Sequence, residues 1–377
     1  MDLDRYKAGE FRIGYEYSYF VPTSVNHSFE WSDARLSALL ERASFSLGEL
    51  NSFSRFVPGT EMFIIMHTFQ EAVTSSKIEG TQTNIEEALI DLTNVDPERR
   101  DDWREVNNYV QAMNQAIAEL KTLPLSNRLI RNAHRTLLSS VRGEHKSPGE
   151  FRTSQNWIGG RNLAEATFVP PFQDLLPELM GDLELFLNNE DINIPHLIRI
   201  AIAHYQFETI HPFLDGNGRI GRLLITLYLV SRGVLDQPLL YLSAYLERNK
   251  AQYYDRLMQV RETHDLGQWL RFFLEGVAQT ASEAGRTLQS MLTLKERIEK
   301  EQIVRMGRRT QTAMVFLHKL FAKPVVTIKD VEGMAGLTFR AASDLVKIFE
   351  EAGILTETTG YQRNRVFVFR EYVELFA

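Results

Sequence analysis

The stretch that decides the fold of this chain is His211-Pro-Phe-Leu-Asp-Gly-Asn-Gly-Arg-Ile-Gly-Arg222. Its twelve positions hold one imidazole, one carboxylate, three glycines and two arginines, and they run into an apolar segment from Ile220 to Val230 that predicts a helix. Glycines let backbone amides approach phosphate oxygens closely, and a helix start adds unpaired N–H groups and a positive dipole end. The stretch therefore predicts a loop that binds a polyphosphate.

Each polar side chain of this loop suits one task in phosphate chemistry. An ordinary imidazole titrates near about pH 6.5, so His211 is a candidate to take the proton of an attacking hydroxyl. Asp215 offers the hard oxygen that holds Mg²⁺ against phosphates. Arg219 and Arg222 can each pair with phosphate oxygens.

The residues of the loop also allow two other interpretations. Gly216 to Gly221 matches the dinucleotide pattern G-x-G-x-x-G, but that pattern follows a strand, whereas Ile198 to Phe207 predicts a helix. Alternatively, His211 is a structural histidine beside an ordinary tight turn. The paired arginines argue against this second interpretation.

At every defined position the loop resembles the pattern of the Fic (Fido) family, His-Pro-Phe-x-Asp-Gly-Asn-Gly-Arg-x-x-Arg. The resemblance implies a protein adenylyltransferase, in which a Ser, Thr or Tyr hydroxyl of a protein attacks the α-phosphate of ATP and releases pyrophosphate. His211 would be the general base and Asp215 the Mg²⁺ ligand. The loop residues expected to bind ATP are Gly216, Asn217, Gly218, Arg219, Gly221 and Arg222.

A second segment, Ser75-Ser-Lys-Ile-Glu-Gly80, resembles the inhibitory pattern of many Fic proteins. A spacing of four puts Ser75 and Glu79 on one helix face, and Gly80 is a helix stop. The resemblance implies that Glu79 pairs with Arg222 and prevents productive binding of the ATP γ-phosphate, as in the class whose inhibitory helix precedes the Fic core. The same glutamate could instead position a water that removes AMP, or simply be solvated at a helix end.

Two further segments are similar to parts of the family's site. Gln155 to Val169 has Gly-Gly and Arg-Asn between short extended pieces, which predicts a β-hairpin like the flap on which a target protein docks as an added strand. An ordinary surface hairpin is the alternative. The stretch around Asn249, Tyr253 and Tyr254 resembles the one that frames adenine, although both tyrosines equally fit a core.

Apart from this hairpin, apolar residues at three-to-four spacing predict an all-α fold with a Fic helical core. We expect an N-terminal lead and helix over 1–60, a Fic domain over 61–265 with the inhibitory motif at 75–80, and a connecting helix over 266–304. The order of elements in 305–377 resembles a winged helix (helix-turn-helix) domain.

The C-terminal domain raises a rival function, that of a DNA-binding transcriptional regulator. From residue 305 onward there are eleven basic and eight acidic residues. However, the expected recognition helix carries only Arg340 and Lys347 among three acidic residues, which is a poor face for phosphates. Arg363 and Arg365 in the expected wing could contact a backbone, but winged helices also mediate protein contacts.

Composition limits the remaining function classes. The net charge of −7 over 377 residues argues against affinity of the whole molecule for nucleic acid. The absence of cysteine excludes disulfides and thiolate chemistry, which fits a cytoplasmic protein. No apolar run reaches the roughly 20 residues that cross a bilayer, so no membrane partner is expected. Family analogy implies a homodimer, and the histidines show no metal-ligand spacing.

Overall fold

The computed structural model describes residues 1–14, 17–56, 59–141, 143, 145–360 and 365–376. Most of these residues are helical, which confirms the prediction of a helical fold. None of the helices in the described ranges is long and apolar enough to span a membrane. The helices are α1 Ala34–Phe56, α2 Thr60–Ile78, α3 Ile85–Leu89, α4 Arg100–Glu119, α5 Asn127–Leu137, α6 Leu176–Asn188, α7 His196–Ile210, α8 Asn217–Ser231, α9 Ser243–Arg248, α10 Lys250–Thr263, α11 Leu266–Arg297, α12 Thr310–Ala322, α13 Ile328–Ala335, α14 Phe339–Glu351 and α15 Arg370–Val373. The strands are β1 Gly9–Ile13, β2 Ser18–Pro22, β3 Val325–Thr327, β4 Thr356–Glu357 and β5 Val366–Val368.

Helix α7 lies at the centre of the core, and every residue from Leu197 to Ile210 is buried. It packs against α6, α8 and α11. The indole of Trp269 in α11 is fully buried and donates a hydrogen bond of 2.8 Å to the carbonyl of Ala201. A helix that is enclosed on all sides is held rigidly, so the loop that follows α7 starts from a fixed point.

Helix α11, which the sequence analysis expected to be a connecting helix, also contributes to the core. It packs along the length of α1 and buries Trp269, Phe273 and Leu288. The helical path continues through a wider turn over Ile298–Gln302 before the C-terminal part begins. The boundaries of the four predicted segments stay predictions.

A hairpin formed by β1 and β2 was missed by the sequence analysis, which expected an irregular lead. Gly9 pairs with Pro22 at one end of the ladder. Nearly every side chain of β1 is exposed, so its apolar residues do not mark a buried face. Phe20 in β2 donates its N–H to the carbonyl of Val169 over 2.9 Å. The hairpin therefore braces the segment that was predicted to be a flap.

The predicted β-hairpin over Gln155 to Val169 is reduced to one antiparallel pair. Ile158 and Phe168 exchange backbone hydrogen bonds of 2.9 and 3.1 Å, and the described residues form no longer ladder there. Gly159 and Gly160 both have φ of 70°, and Asn162 caps a short turn over Leu163–Glu165. In these local turns the backbone donors and acceptors form hydrogen bonds within the segment, so they are not available for the ladder of a longer hairpin.

The C-terminal part combines α12 to α14 with a three-stranded antiparallel sheet in the order β3-β5-β4. Thr327 and Asp330 form a capping box that starts α13. The predicted wing residue Arg363 lies outside the described residues. This part packs against the start of α2, where the Tyr372 hydroxyl donates to the carbonyl of Met62 over 3.3 Å.

Candidate active site

The loop begins at His211, where α7 ends. His211 has φ of 50° and donates its N–H to the carbonyl of Phe207 over 2.9 Å. Pro212 has no N–H and disfavours a helical residue before it, so the chain leaves the helix here. Burial lowers the pKa of His211 to about 3, and the positive charges of Arg152 and Arg261 act in the same direction. The imidazole is therefore neutral near pH 7 and can accept a proton.

Asn217 holds the loop closed with its side chain. Its Oδ1 accepts the N–H of Phe213, and its Nδ2 donates to the carbonyl of Phe213, both over 2.8 Å. Gly216, with φ of 77°, makes the turn into α8. The amide of Asn217 thus supports the backbone of the loop, although the sequence analysis had assigned this residue to ATP.

We expect Asn217→Ala to lower the free energy of unfolding by about 1–3 kcal/mol, because it leaves the buried N–H of Phe213 without a partner and leaves its carbonyl with only the hydrogen bond from Asn156. Urea denaturation measures this change. Asn94→Ala is the control, since Asn94 is exposed and its loss should cost less than about 0.5 kcal/mol. Equal midpoints for the two variants would show that the two hydrogen bonds are not needed for stability.

His134 supports the loop from below. Gly149 donates its N–H to Nδ1 of His134 over 2.8 Å, so the ring proton is on Nε2, which donates to the carbonyl of Asp215 over 2.9 Å. The ring stacks on Phe213 at 3.7 Å, and burial lowers its pKa to about 4. The sequence assigns no role to His134, whereas in the structure it is a neutral residue that supports the loop.

Arg219 is a buried cation in the first turn of α8. Its Nη2 lies 3.7 Å from Oδ1 of Asp215, and its Nη1 lies 3.7 Å from Oε2 of Glu105. Both Nε and Nη1 lack a hydrogen-bond partner among the described residues. A buried guanidinium with unused donors, at the positive end of a helix, is well suited to an anionic ligand.

Arg222, Ser75 and Glu79 are brought together although they belong to α8 and to the end of α2. The Arg222 guanidinium donates to the Ser75 hydroxyl and carbonyl, both over 2.9 Å, and to Oε1 of Glu79 over 2.7 Å. Burial by itself would raise the pKa of Glu79, but the charge and hydrogen bond of Arg222 outweigh it and hold this pKa below its ordinary value. Glu79 is therefore ionised in this contact.

The carboxylate of Glu79 lies directly on the first turn of α8. A Cβ atom added at Gly218 would overlap Oε1 of Glu79, so only glycine leaves room for it. The chain turns away from α2 at Gly80, which has φ of 103°. An anionic group thus already occupies the helix start that the sequence analysis assigned to phosphate.

Gly221 faces away from this anion site. A Cβ atom there would overlap the carboxylate of Glu208 in α7, and its carbonyl is hydrogen-bonded to Nδ1 of His204 over 2.9 Å. Gly221 thus allows close packing of α7 and α8, and its contact with ATP stays a prediction.

Of the three residues expected to frame adenine, two make hydrogen bonds within the fold and one is partly exposed. Asn249, at the junction of α9 and α10, donates its side-chain amide to the carbonyl of Tyr245 over 2.9 Å. Tyr253 is buried and its hydroxyl is hydrogen-bonded to Nε2 of His204. This agrees with the alternative that Tyr253 belongs to the core. Tyr254 is 39% exposed, and its pKa is raised to about 12 by burial and by the negative charge of Glu79. Tyr254 therefore lies on the same side as Glu79.

Three cations near the loop were missed by sequence reasoning. Arg152 and Arg261 are each more than nine-tenths buried beside His211. Lys250 donates to the carbonyl of Ile78 over 2.6 Å and so ties α10 to the end of α2. The only sequence signal was a charge at a position where the helical spacing expects an apolar residue, as at Arg261.

Comparisons with known sequences agree with this geometry. The sequence profiles described as Fic/DOC family N-terminal and Fic/DOC family match residues 37–118 and 124–229. Protein adenylyltransferase Fic of Drosophila grimshawi is 30% identical over 217 residues, which are 56% of this chain and 42% of that protein. Protein adenylyltransferase Fic of Aedes aegypti is 34% identical over 148 residues, which are 39% of this chain and 26% of that protein. The chain thus spans less than half the length of these curated relatives.

Solved structures resemble the fold as well. The crystal structure of a Fic family protein from Desulfovibrio desulfuricans G20 superposes with a TM-score of 0.56 at 18% identity. The match covers 89% of this chain and 96% of that one. At this identity the likeness concerns the fold alone.

Proposed function

Because this chain belongs to the Fic/DOC family, we propose that it is a self-inhibited protein adenylyltransferase. It moves AMP from ATP to a Ser, Thr or Tyr hydroxyl of a target protein, or of itself, and releases pyrophosphate. One observation carries the proposal: the Glu79 carboxylate pairs with Arg222 and lies on Gly218, at a helix start built to bind an anion. A phosphate of ATP has the charge and the hydrogen-bond acceptors to take the same place.

In this reaction the hydroxyl oxygen attacks the α-phosphorus, the bond to the pyrophosphate oxygen breaks, and His211 takes the hydroxyl proton. The neutral imidazole supports this role. Arg219 and Arg222 stabilise the charge on the phosphates, together with the backbone amides of the first turn of α8. Transfer of this kind depends mainly on positioning and charge, which these groups supply.

Asp215 fits a Mg²⁺ ion that arrives with ATP. Its carboxylate is 45% exposed and lies beside the anion site. Among the described residues, no group of three or more histidine or acidic side chains could hold a metal. Mg²⁺ commonly binds one carboxylate plus substrate oxygens and water, so this donor set fits an ion shared with ATP, where it would neutralise phosphate charge.

The reaction class is tested by the position of the label. Glu79→Gly protein added to a cell lysate with Mg²⁺ should raise incorporation from α-labelled ATP above that of the lysate alone and leave incorporation from γ-labelled ATP at the level of the lysate alone, because AMP retains only the α-phosphate. A rise of the γ label alone would instead indicate phosphoryl transfer. No rise of either label would contradict the proposed function.

Removal of AMP is a second candidate activity of the same site. Glu79 is ionised and 35% exposed, so it could orient a water towards an AMP-modified target. The test is the loss of AMP from a protein that the Glu79→Gly variant has modified. Loss with the wild type and none with Glu79→Gly would support a bifunctional enzyme.

We propose that the target docks on the segment over 155–169. The pair of Ile158 and Phe168 leaves an extended backbone, and Trp157 is 41% exposed beside it. An extended target segment could add there through backbone hydrogen bonds. A homodimer stays a prediction from family analogy.

We propose further that 305–377 is a winged helix that contacts protein rather than DNA. The basic residues of α14 are Arg340 and Lys347, and Lys347 lies 3.8 Å from Glu351, so this helix presents little positive charge to a phosphate backbone. We expect the full chain not to retard a DNA duplex even at about 50 mM salt. Retardation that weakens as salt rises would favour the transcriptional regulator instead.

A further inference from the structure

All three guanidinium nitrogens of Arg152 donate to backbone carbonyls around the catalytic loop. The residue is 3% exposed, and no carboxylate among the described residues pairs with it. Its donors reach the carbonyls of His211 (Nε, 3.0 Å), Ser154 (Nη1, 3.2 Å), Ile210 (Nη2, 3.5 Å) and Pro171 (Nη2).

A buried guanidinium without a counter-charge is an expensive feature of a fold. Burial lowers the pKa of Arg152 to about 10, so the group is still protonated near pH 7. The hydrogen bonds to carbonyls offset part of the desolvation cost. They can form only if those carbonyls converge on one point, so the side chain selects one backbone arrangement.

The carbonyls that converge belong to two functional segments. Ile210 and His211 end α7, where His211 has the left-handed φ of 50° that non-glycine residues rarely adopt. Ser154 and Pro171 flank the segment proposed to dock the target. The N–H of Arg152 also donates to the carbonyl of Pro212 over 2.9 Å. Arg152 thus joins the base to both ends of the docking segment.

We propose that Arg152 is a positioning residue that holds the His211 backbone in its left-handed conformation and fixes it against the target-docking segment. This inference deepens the proposed adenylyltransferase function and rests on it. Proton transfer and attack both require the base, hydroxyl and phosphorus in one geometry, and small misplacements cost rate rather than affinity for ATP.

Charge gives Arg152 a second effect that can be separated from geometry. Among the residues that the structure describes, three charged groups act on the imidazole: Arg152 before the docking segment, Arg261 in α10 and Glu79 at the end of α2. The two arginines lower the pKa of His211, whereas Glu79 raises it. Removal of the Arg152 charge therefore raises this pKa, and the base becomes protonated at a higher pH.

The test compares Arg152→Lys and Arg152→Gln, each in the Glu79→Gly background. We expect both to lower kcat for AMP transfer by about 10- to 100-fold with little change in KM for ATP. Lysine keeps the charge, so only Arg152→Gln should move the acidic limb of the pH profile upward, by about half a pH unit or more. Arg104→Gln, on the surface of α4, is the control.

The pKa of His211 can be measured without turnover, so this measurement tests the role of Arg152 independently of AMP transfer. The NMR titration of the His211 ring should move to higher pH in Arg152→Gln and stay in place in Arg152→Lys. Folded Arg152 variants with rates within twofold of their parent, or an unmoved His211 titration, would overturn the inference. If the Glu79→Gly parent transfers no AMP but the His211 titration still moves in Arg152→Gln, the proposed function is contradicted. The effect of Arg152 on His211 is then still supported.

Discussion

Replacing Glu79 by glycine should raise the incorporation of AMP into protein by roughly 10- to 100-fold over the wild type, the range of about 1–3 kcal/mol typical of coupled sites. Arg222 donates to Glu79 over 2.7 Å, and because the Arg222 side chain is buried while that of Glu79 is 35% exposed, this partly buried ion pair is only partly screened by water. The carboxylate also lies on Gly218. Its removal frees a cation and the helix start together, and both can then bind ATP phosphates.

Label from α-labelled ATP, followed in the purified protein and in a lysate, measures this effect. Glu79→Gln is the closest variant, because it keeps the size of the side chain and removes its charge, and should give an intermediate rate. Glu98→Gly, in an exposed turn, is the control and should behave as the wild type. Equal incorporation by Glu79→Gly and the wild type would show that Glu79 does not inhibit.

Substituting His211 in the activated Glu79→Gly protein should lower AMP transfer by about 10²- to 10⁴-fold, the usual contribution of a general base. His211 is neutral near pH 7 and stands at the start of the anion-binding loop. His211→Asn is preferred to His211→Ala, because asparagine tolerates the left-handed conformation and alanine does not. The rate loss then reports on the imidazole rather than on strain.

Binding of ATP separates a catalytic from a structural role for His211. Calorimetry should give a Kd for ATP within about threefold of the parent, since the imidazole is not expected to contact the phosphates. His318→Ala, on α12 beside Glu299, is the control and should keep the parent's rate. Loss of ATP binding in His211→Asn would indicate that the residue shapes the loop instead.

Features with local causes were predictable from the sequence. Ser75 and Glu79 fall on one face of α2 because a spacing of four returns to the same side of a helix. The extended segment at Ile158 and Phe168 was also recognisable, but its length was not, because the turns at Gly159 and Asn162 compete with pairing. In the β1–β2 hairpin, β1 has no buried face and so left no pattern, although β2 buries Phe20 and Pro22.

The sequence by itself determined the chemistry of the loop, since twelve consecutive residues carry an imidazole, a carboxylate and two guanidinium groups that a turn into a helix must bring close together. Only the tertiary structure decided which side chains face a ligand and which hold the backbone. The side chains of Asn217, His134 and Arg152 belong to the second kind. The reason is physical: the hydrogen bonds of Arg222 with Glu79 and of Arg152 with His211 span 143 and 59 residues of chain, and such contacts form only when packing brings distant segments together.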